Sequence, residues 1–271
     1  LTYRLRGICN LGLEVRALDH PLHSGMWGGP VPDPVQAMAK ILATLSDANG
    51  SITIPGILDE VRPPSRAERA DLARLPFDEA RFRADAGMLA GTQLVGEKDF
   101  GVYERLWLRP SVTVIALEAS PIAGSSNQLI PSARARISVR LVPDMNPDRT
   151  ARLVEDHVRM VAPWGVEVRT EVEAANPGWS CDPEGAAFEA AKRALARGYG
   201  RDAAMIGAGG SIPFVGPFAA AFGGAPALLV GLEDPICNAH SENESLNLDD
   251  WKKGMKAAAF LYEELAKLPH K

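Results

Sequence analysis

Long apolar runs are missing from this chain of 271 residues. Its most apolar stretch, Phe218 to Leu232, is broken by Gly223, Gly224 and Pro226 and is too short to span a bilayer, so no transmembrane helix is expected. Cysteine is scarce. Cys9, Cys181 and Cys237 are odd in number and far apart, which argues against a disulfide scaffold and for a reducing, cytoplasmic setting. An excess of one charge is missing too: the net charge is −5, with acidic and basic residues interleaved. That leaves no electrostatic footprint for nucleic acid or an anionic membrane. No HxD or HExxH motif is present, and no Glu-Glu pair is placed to complete a metal shell beside a candidate histidine. The first residue is Leu1 rather than methionine, so the start reads as a cut.

What is present is enough apolar content, 46%, to pack one large or two ordinary domains. Leu11, Leu13 and Val15 alternate as a half-buried strand. Asp33-Pro34 caps a helix carrying Val35, Met38, Ile41, Leu42 and Leu45, expected to end near Asn49-Gly50. Residues 51–110 read as an insertion, with a charged helix between Phe77 and Met88. Alternation returns in Val112 to Ala116 and in Ile137 to Leu141, two adjacent strands separated by a Gly- and Ser-rich turn. Asn146-Pro147 caps a second helix, and Val166 to Val172 alternate as a strand. The order β-α-β-β-α-β predicts a ferredoxin-like sheet with both helices on one face, filling residues 7 to about 175.

Composition changes at Asn176-Pro177-Gly178, dividing the chain into domains at 1–176 and 177–271. In the second part, Asp182-Pro183 opens an alanine-rich helix expected to stop at Gly198. Ala203 to Ile206 and Ala225 to Gly231 read as buried strands of a parallel sheet, and a helix from about Trp251 closes the chain. Two strands are few for a helix face to cover, so this α/β portion reads as incomplete.

Several residues are placed for chemistry. Gly207-Ala208-Gly209-Gly210-Ser211-Ile212-Pro213 runs from an expected strand into an expected helix with Ser211 as N-cap. It is either a simple capped turn or a place for a carboxylate at free backbone amides. A nucleophilic serine is disfavoured, because the glycines all precede Ser211. Arg140 shares the non-core side of its strand with Arg136 and Ser138; it is either a solvated arginine or a two-pronged carboxylate holder. His240 follows an apolar strand, where α/β sheets bind ligands, and is either polar surface or a metal ligand. Cys237-x-x-His240 has no second pair, which rejects a structural zinc. His23 sits in the loop Pro21-Leu22-His23-Ser24-Gly25; it is either a solvated turn histidine or one carried on a loop flexible enough to reach another surface. His20, His157 and His270 read as structural.

In this order, PLHSGMWGG, NQLIPSARARISVRLVP, GAGGSIPF and NAHSENESL resemble the two-zinc metallopeptidase family of carnosinases, bacterial dipeptidases, aminoacylases and succinyl-diaminopimelate desuccinylase. The resemblance covers nearly the whole chain. It implies hydrolysis of a peptide or amide bond in a dipeptide or small acylated amino acid, with two zinc ions per site, or manganese or cobalt. It implies a ferredoxin-like lid that pairs subunits into a homodimer, followed by the last part of a catalytic domain. His240 then matches a zinc ligand, and His23 matches a residue that reaches the partner's site to stabilise an oxyanion. Arg140, Gly210 and Ser211 match binders of the substrate carboxylate, and Asn127 or Gln128 lies where lid residues touch substrate. The other metal ligands and the general base are expected upstream of Leu1. Gly207 and Ala208 replace an Arg and a Glu of some carnosinase-like relatives, so their dipeptide preference need not transfer. The isolated chain, lacking most metal ligands, is expected to be inactive, and the competing expectation is that it serves as a non-catalytic dimerisation fragment of such an enzyme.

Overall fold

The computed structural model describes residues 1–269; His270 lies outside them. The chain begins with strands β1 (Thr2–Leu5), β2 (Gly7–Arg16) and β3 (Leu22–His23), then helices α1 (Ser24–Trp27) and α2 (Pro34–Ala43). Short helices α3 (Arg66–Ala73), α4 (Glu79–Asp85) and α5 (Val102–Trp107) precede β4 (Ser111–Glu118), β5 (Gln128–Leu129) and β6 (Ser132–Leu141). After α6 (Pro147–Met160) come β7 (Glu167–Asn176), β8 (Trp179–Ser180), α7 (Ala186–Tyr199), β9 (Ile206–Ala208), α8 (Val215–Ala221) and α9 (Leu248–Leu265).

Alternation decides the larger sheet. Cys9, Leu11, Leu13 and Val15 of β2 and Ala133 through Leu141 at odd positions of β6 are buried on one face, and a strand's side chains alternate between faces. The order is β4-β6-β2-β7, antiparallel at each junction. This is the expected ferredoxin-like arrangement. Its core face is covered by Ala37, Met38 and Ile41 of α2 and by Ala151, Val154 and Val158 of α6. Emptying one such position, as in Ile137→Ala, costs about 2–5 kcal/mol.

Asp33 and Asn146 cap α2 and α6 through their side chains, as expected, with proline in each first turn. Helix α2 ends earlier than expected, at Ala43, because Thr44 turns its hydroxyl onto the Ile41 carbonyl at 2.7 Å. Leu45 is still buried against the core.

The first strand does not join this sheet. β1 pairs antiparallel with β8 and parallel with β9, so residues 2–5 lie with the portion beyond residue 177. The chain passes between the sheets at two adjacent points: an added Cβ on Gly7 would stand 2.5 Å from the Asn176 carbonyl oxygen and the Gly178 amide. Only glycine permits that approach.

The second portion differs from expectation at several places, among them the start of α7, which falls at Ala186 behind Gly185 rather than at Pro183. β9 falls at Ile206–Ala208, two to three residues later than expected. Ala225–Gly231 forms no strand, only a bridge from Leu229 to Thr2; Pro226 lacks an amide donor. Helix α7 continues through Gly198 to Tyr199, and Gly200, at φ +73°, supplies the left-handed cap.

Candidate functional site

Strand β6 carries three arginines on the face away from the core. Arg134 pairs with Glu14 at 3.4 Å and Arg136 with Glu173 at 2.6 Å. Arg140 has no carboxylate partner among the described residues. Its Nη1 donates instead to Ser211 Oγ at 3.2 Å, joining the end of the large sheet to the Gly209–Pro213 loop of the other portion. Arg140 lies opposite Ser111 on β4 and Ile8 on β2.

Ser211 reaches this position because it is not a helix cap. Helix α8 starts at Val215, with Phe214 as N-cap and no side-chain cap. Pro213 disfavours helical backbone at Ile212, which blocks a helix beginning at Ser211. The expected anion site at a helix start is therefore corrected to a loop whose serine meets an arginine. At Gly210 an added Cβ would meet nothing within 4 Å, so the backbone there is open to a ligand.

One residue of this cluster escaped the sequence reading. Arg6, at the crossing from β1 to β2, is 9% exposed. Its Nε donates to the Gly209 carbonyl at 3.4 Å and its Nη1 to Ser111 Oγ at 3.2 Å. Burial first, and the charge of Arg140 second, push Arg6 down to about 10.

A second cluster forms at the other end of the large sheet. His23 is register partner to Gln128 across the β3–β5 ladder, and the Ser24 amide donates to the Asn127 carbonyl at 2.9 Å. His23, Asn127 and Gln128 are exposed. His23 Nδ1 accepts from the Gly25 amide at 3.1 Å, which puts the proton of the neutral ring on Nε2 and leaves a donor facing away from its own turn. Eight residues of β6, about 26 Å at roughly 3.3 Å each, separate this end from Arg140. A dipeptide spans about 7 Å, so the His23 and Arg140 of one subunit cannot share one.

His240 shares no hydrogen bond or ion pair with either cluster among the described residues. It is exposed in a loop where it, Asn238 and Asn243 have φ of 62°, 59° and 57°, and the buried Cys237 carbonyl accepts from the Ser245 amide at 2.8 Å. Among the described residues no three His, Cys, Asp or Glu side chains come together to hold a metal ion. The described residues alone therefore do not fit a metal pair. The chain's one Glu-Glu pair, Glu263-Glu264, lies on α9 and is ion paired with Arg193, Arg197 and Lys267. His20 pairs with Asp19 on the surface, and His157 is buried. No described helix is long and apolar enough to cross a membrane.

Residues 3–166 match the peptidase dimerisation domain family. The chain is 34% identical over 248 residues to the cysteinylglycine-S-conjugate dipeptidase of Corynebacterium striatum, covering 91% of this chain and 52% of that protein. Among solved structures, the dipeptidase Dug1p of Saccharomyces cerevisiae superposes with a TM-score of 0.87 at 29% identity, covering 100% of this chain and 56% of the other. Human carnosine dipeptidase 1 superposes with a TM-score of 0.84 at 26% identity, covering 98% and 56%. The chain thus spans about half the length of these relatives. Its matching domain and fold place it in one family: the chain belongs to the M20 peptidases, and carries their dimerisation domain.

Proposed function

We propose that this chain is the substrate-holding and subunit-pairing part of a metal-dependent hydrolase acting on dipeptides or small acylated amino acids. The observation that carries the reading is the Arg140–Ser211 contact, made by the one β6 arginine without an acidic partner. A guanidinium left free in this way can hold a carboxylate by two parallel hydrogen bonds. Arg140 and Ser211 bind the substrate's C-terminal carboxylate, and the open backbone at Gly210 accepts the adjoining residue. His23, Asn127 and Gln128, too far from Arg140 in their own subunit, serve the partner's site in a homodimer. There the Nε2 proton of His23 is a donor to the oxyanion that forms at the scissile carbonyl, a role worth about 3–4 kcal/mol.

The metal belongs to the reading through the relatives named as metallodipeptidases. Two zinc ions, with manganese or cobalt as substitutes, are proposed, and His240 is the ligand this chain offers. Three unpaired cysteines suit a reducing, cytoplasmic setting.

Hydrolysis of Cys-Gly and β-Ala-His, assayed for this chain and any longer product of its gene with each metal, tests the proposal. Arg140→Ala should raise KM for the free dipeptide and change little for its amide. No hydrolysis by either form with any metal would remove the reading. Hydrolysis by a longer product alone would assign the 271-residue chain the role of dimerisation module.

A further inference from the structure

Arg4, Arg109, Arg134 and Arg136 each meet a Glu carboxylate. Arg6 and Arg140 meet none among the described residues, although Arg6 is more deeply buried than most charged groups at 9% exposure. A buried charge is ordinarily paired. Here two like charges are set beside each other instead. Arg6 bonds Ser111 Oγ, and Ser111 is the ladder partner of Arg140. The two guanidiniums also grip one loop two residues apart, at the Gly209 carbonyl and the Ser211 hydroxyl.

Donor count points the same way. A guanidinium has five N–H donors. Arg6 uses two of them and Arg140 one, all on neutral oxygens. Gly209 leaves room for this arrangement, because a Cβ there would stand 3.1 Å from Arg6 Nη2. The repulsion felt by Arg6 is what an anion between the groups would relieve.

We propose that Arg6 is a second guanidinium of the carboxylate site, so that the C-terminal carboxylate of the substrate is held jointly by Arg140 from the sheet and Arg6 from the β1–β2 crossing. This rests on the reading of Arg140 given above and narrows the substrate class to molecules with a free carboxylate at that end. A C-terminal amide, unable to neutralise either charge, is excluded by two groups rather than one.

The test uses the 271-residue chain and the side-chain Nε–H signals of arginine in nitrogen-correlated NMR spectra, assigned with Arg6→Lys and Arg140→Lys. N-acetylglycine is titrated in, with N-acetylglycinamide as control. The Arg6 and Arg140 signals should move together with one midpoint for the acid and stay still for the amide. Arg6→Gln should weaken the acid's binding about tenfold or more. Gly209→Ala, which crowds Arg6 without removing its charge, should weaken it as well if Arg6→Gln folds poorly. An Arg140 signal that moves while Arg6 stays still, or unchanged affinity in Arg6→Gln, overturns the role of Arg6 and leaves the function above intact. If neither signal moves with the acid, the carboxylate roles of both arginines fall. Joint movement, where neither this chain nor any longer product of its gene hydrolyses a dipeptide with any metal, would keep this site and remove the peptidase reading.

Discussion

His23 lies directly opposite Gln128 in a two-residue antiparallel ladder, beyond the end of β6 that is remote from Arg140. If each site draws His23 from one subunit and Arg140 from the other, the two defects can be separated into different subunits. In whichever form hydrolyses the dipeptide, His23→Ala and Arg140→Ala homodimers should each be nearly inactive at free-dipeptide concentrations well below KM. Mixing them with subunit exchange should restore about a quarter of the wild-type activity, since half the dimers are mixed and each has one intact site. Activity that stays at the level of the parents after exchange, shown by mass spectrometry of the mixed dimers, would place His23 outside the partner's site.

Helices α7 and α9 meet at Gly198, where an added Cβ would stand 2.6 Å from the Cβ of Ala257 and 2.8 Å from its backbone. Gly198→Ala gains up to about 1 kcal/mol in helix propensity but overpacks this contact at a cost of about 1–3 kcal/mol. A net loss of stability should appear in denaturant unfolding. Gly210→Ala, with nothing within 4 Å, should stay within about 0.5 kcal/mol of the parent. Equal stability of the two variants would show that α9 moves aside freely.

The large sheet was legible because a buried face forces period-2 alternation on β2 and β6, and because Asp33 and Asn146 are capping residues followed by proline. β1 and β8 were not, and β9 was placed two to three residues early. Each has two to four residues, too few for a period, and β1 finds its partners some 175 to 205 positions away. The run Ala225–Gly231 misled for the opposite reason: it is apolar enough for a buried strand but pairs with β1 only through an isolated bridge at Leu229. In the site, Arg140 could be placed on its face from alternation, and Ser211 was noticed for its glycines. Their contact spans 71 positions and leaves no local trace. Arg6 left none either, because a single arginine before Gly7 looks like any surface residue until the two sheets meet around it.

His157, 5% exposed on α6, makes stability depend on pH. Thr44 Oγ1 already donates to the Ile41 carbonyl. It therefore accepts from His157 Nε2 at 2.9 Å, with the Thr44 carbonyl also 3.2 Å from that nitrogen. Nδ1 is buried with no partner, so a proton added there has nowhere to donate. Burial lowers the His157 pKa below its ordinary 6.5, only partly offset by the Thr44 carbonyl. The unfolded chain then binds the proton more tightly, and stability is complete above about pH 6.5 and falls as pH drops through that value towards the folded pKa. Denaturant unfolding at pH 7.5 and 5.5 should show a loss that is smaller in His157→Gln. Equal losses in the two proteins would mean that the ring titrates alike folded and unfolded.

The two edges of the large sheet differ in a way that bears on subunit pairing. β7 lines its length with Glu167, Arg169, Glu171 and Glu173, charges that discourage a further strand. β4 is bonded to β6 on one side only and exposes Ile115 at 52% and Leu117 at 60%. Ile115 sits at a register shift between Val114 and Ala116, which leaves it outside the ladder and available to a neighbour. An isologous dimer joined through β4 would bury these side chains against their own copies. Leu117→Lys should then shift the chain from dimer to monomer in sedimentation velocity, while Glu171→Lys on β7 should leave the dimer unchanged. Circular dichroism of both variants should match the parent, since neither residue lies in the core. Loss of the dimer in Glu171→Lys alone would move the interface to the opposite edge.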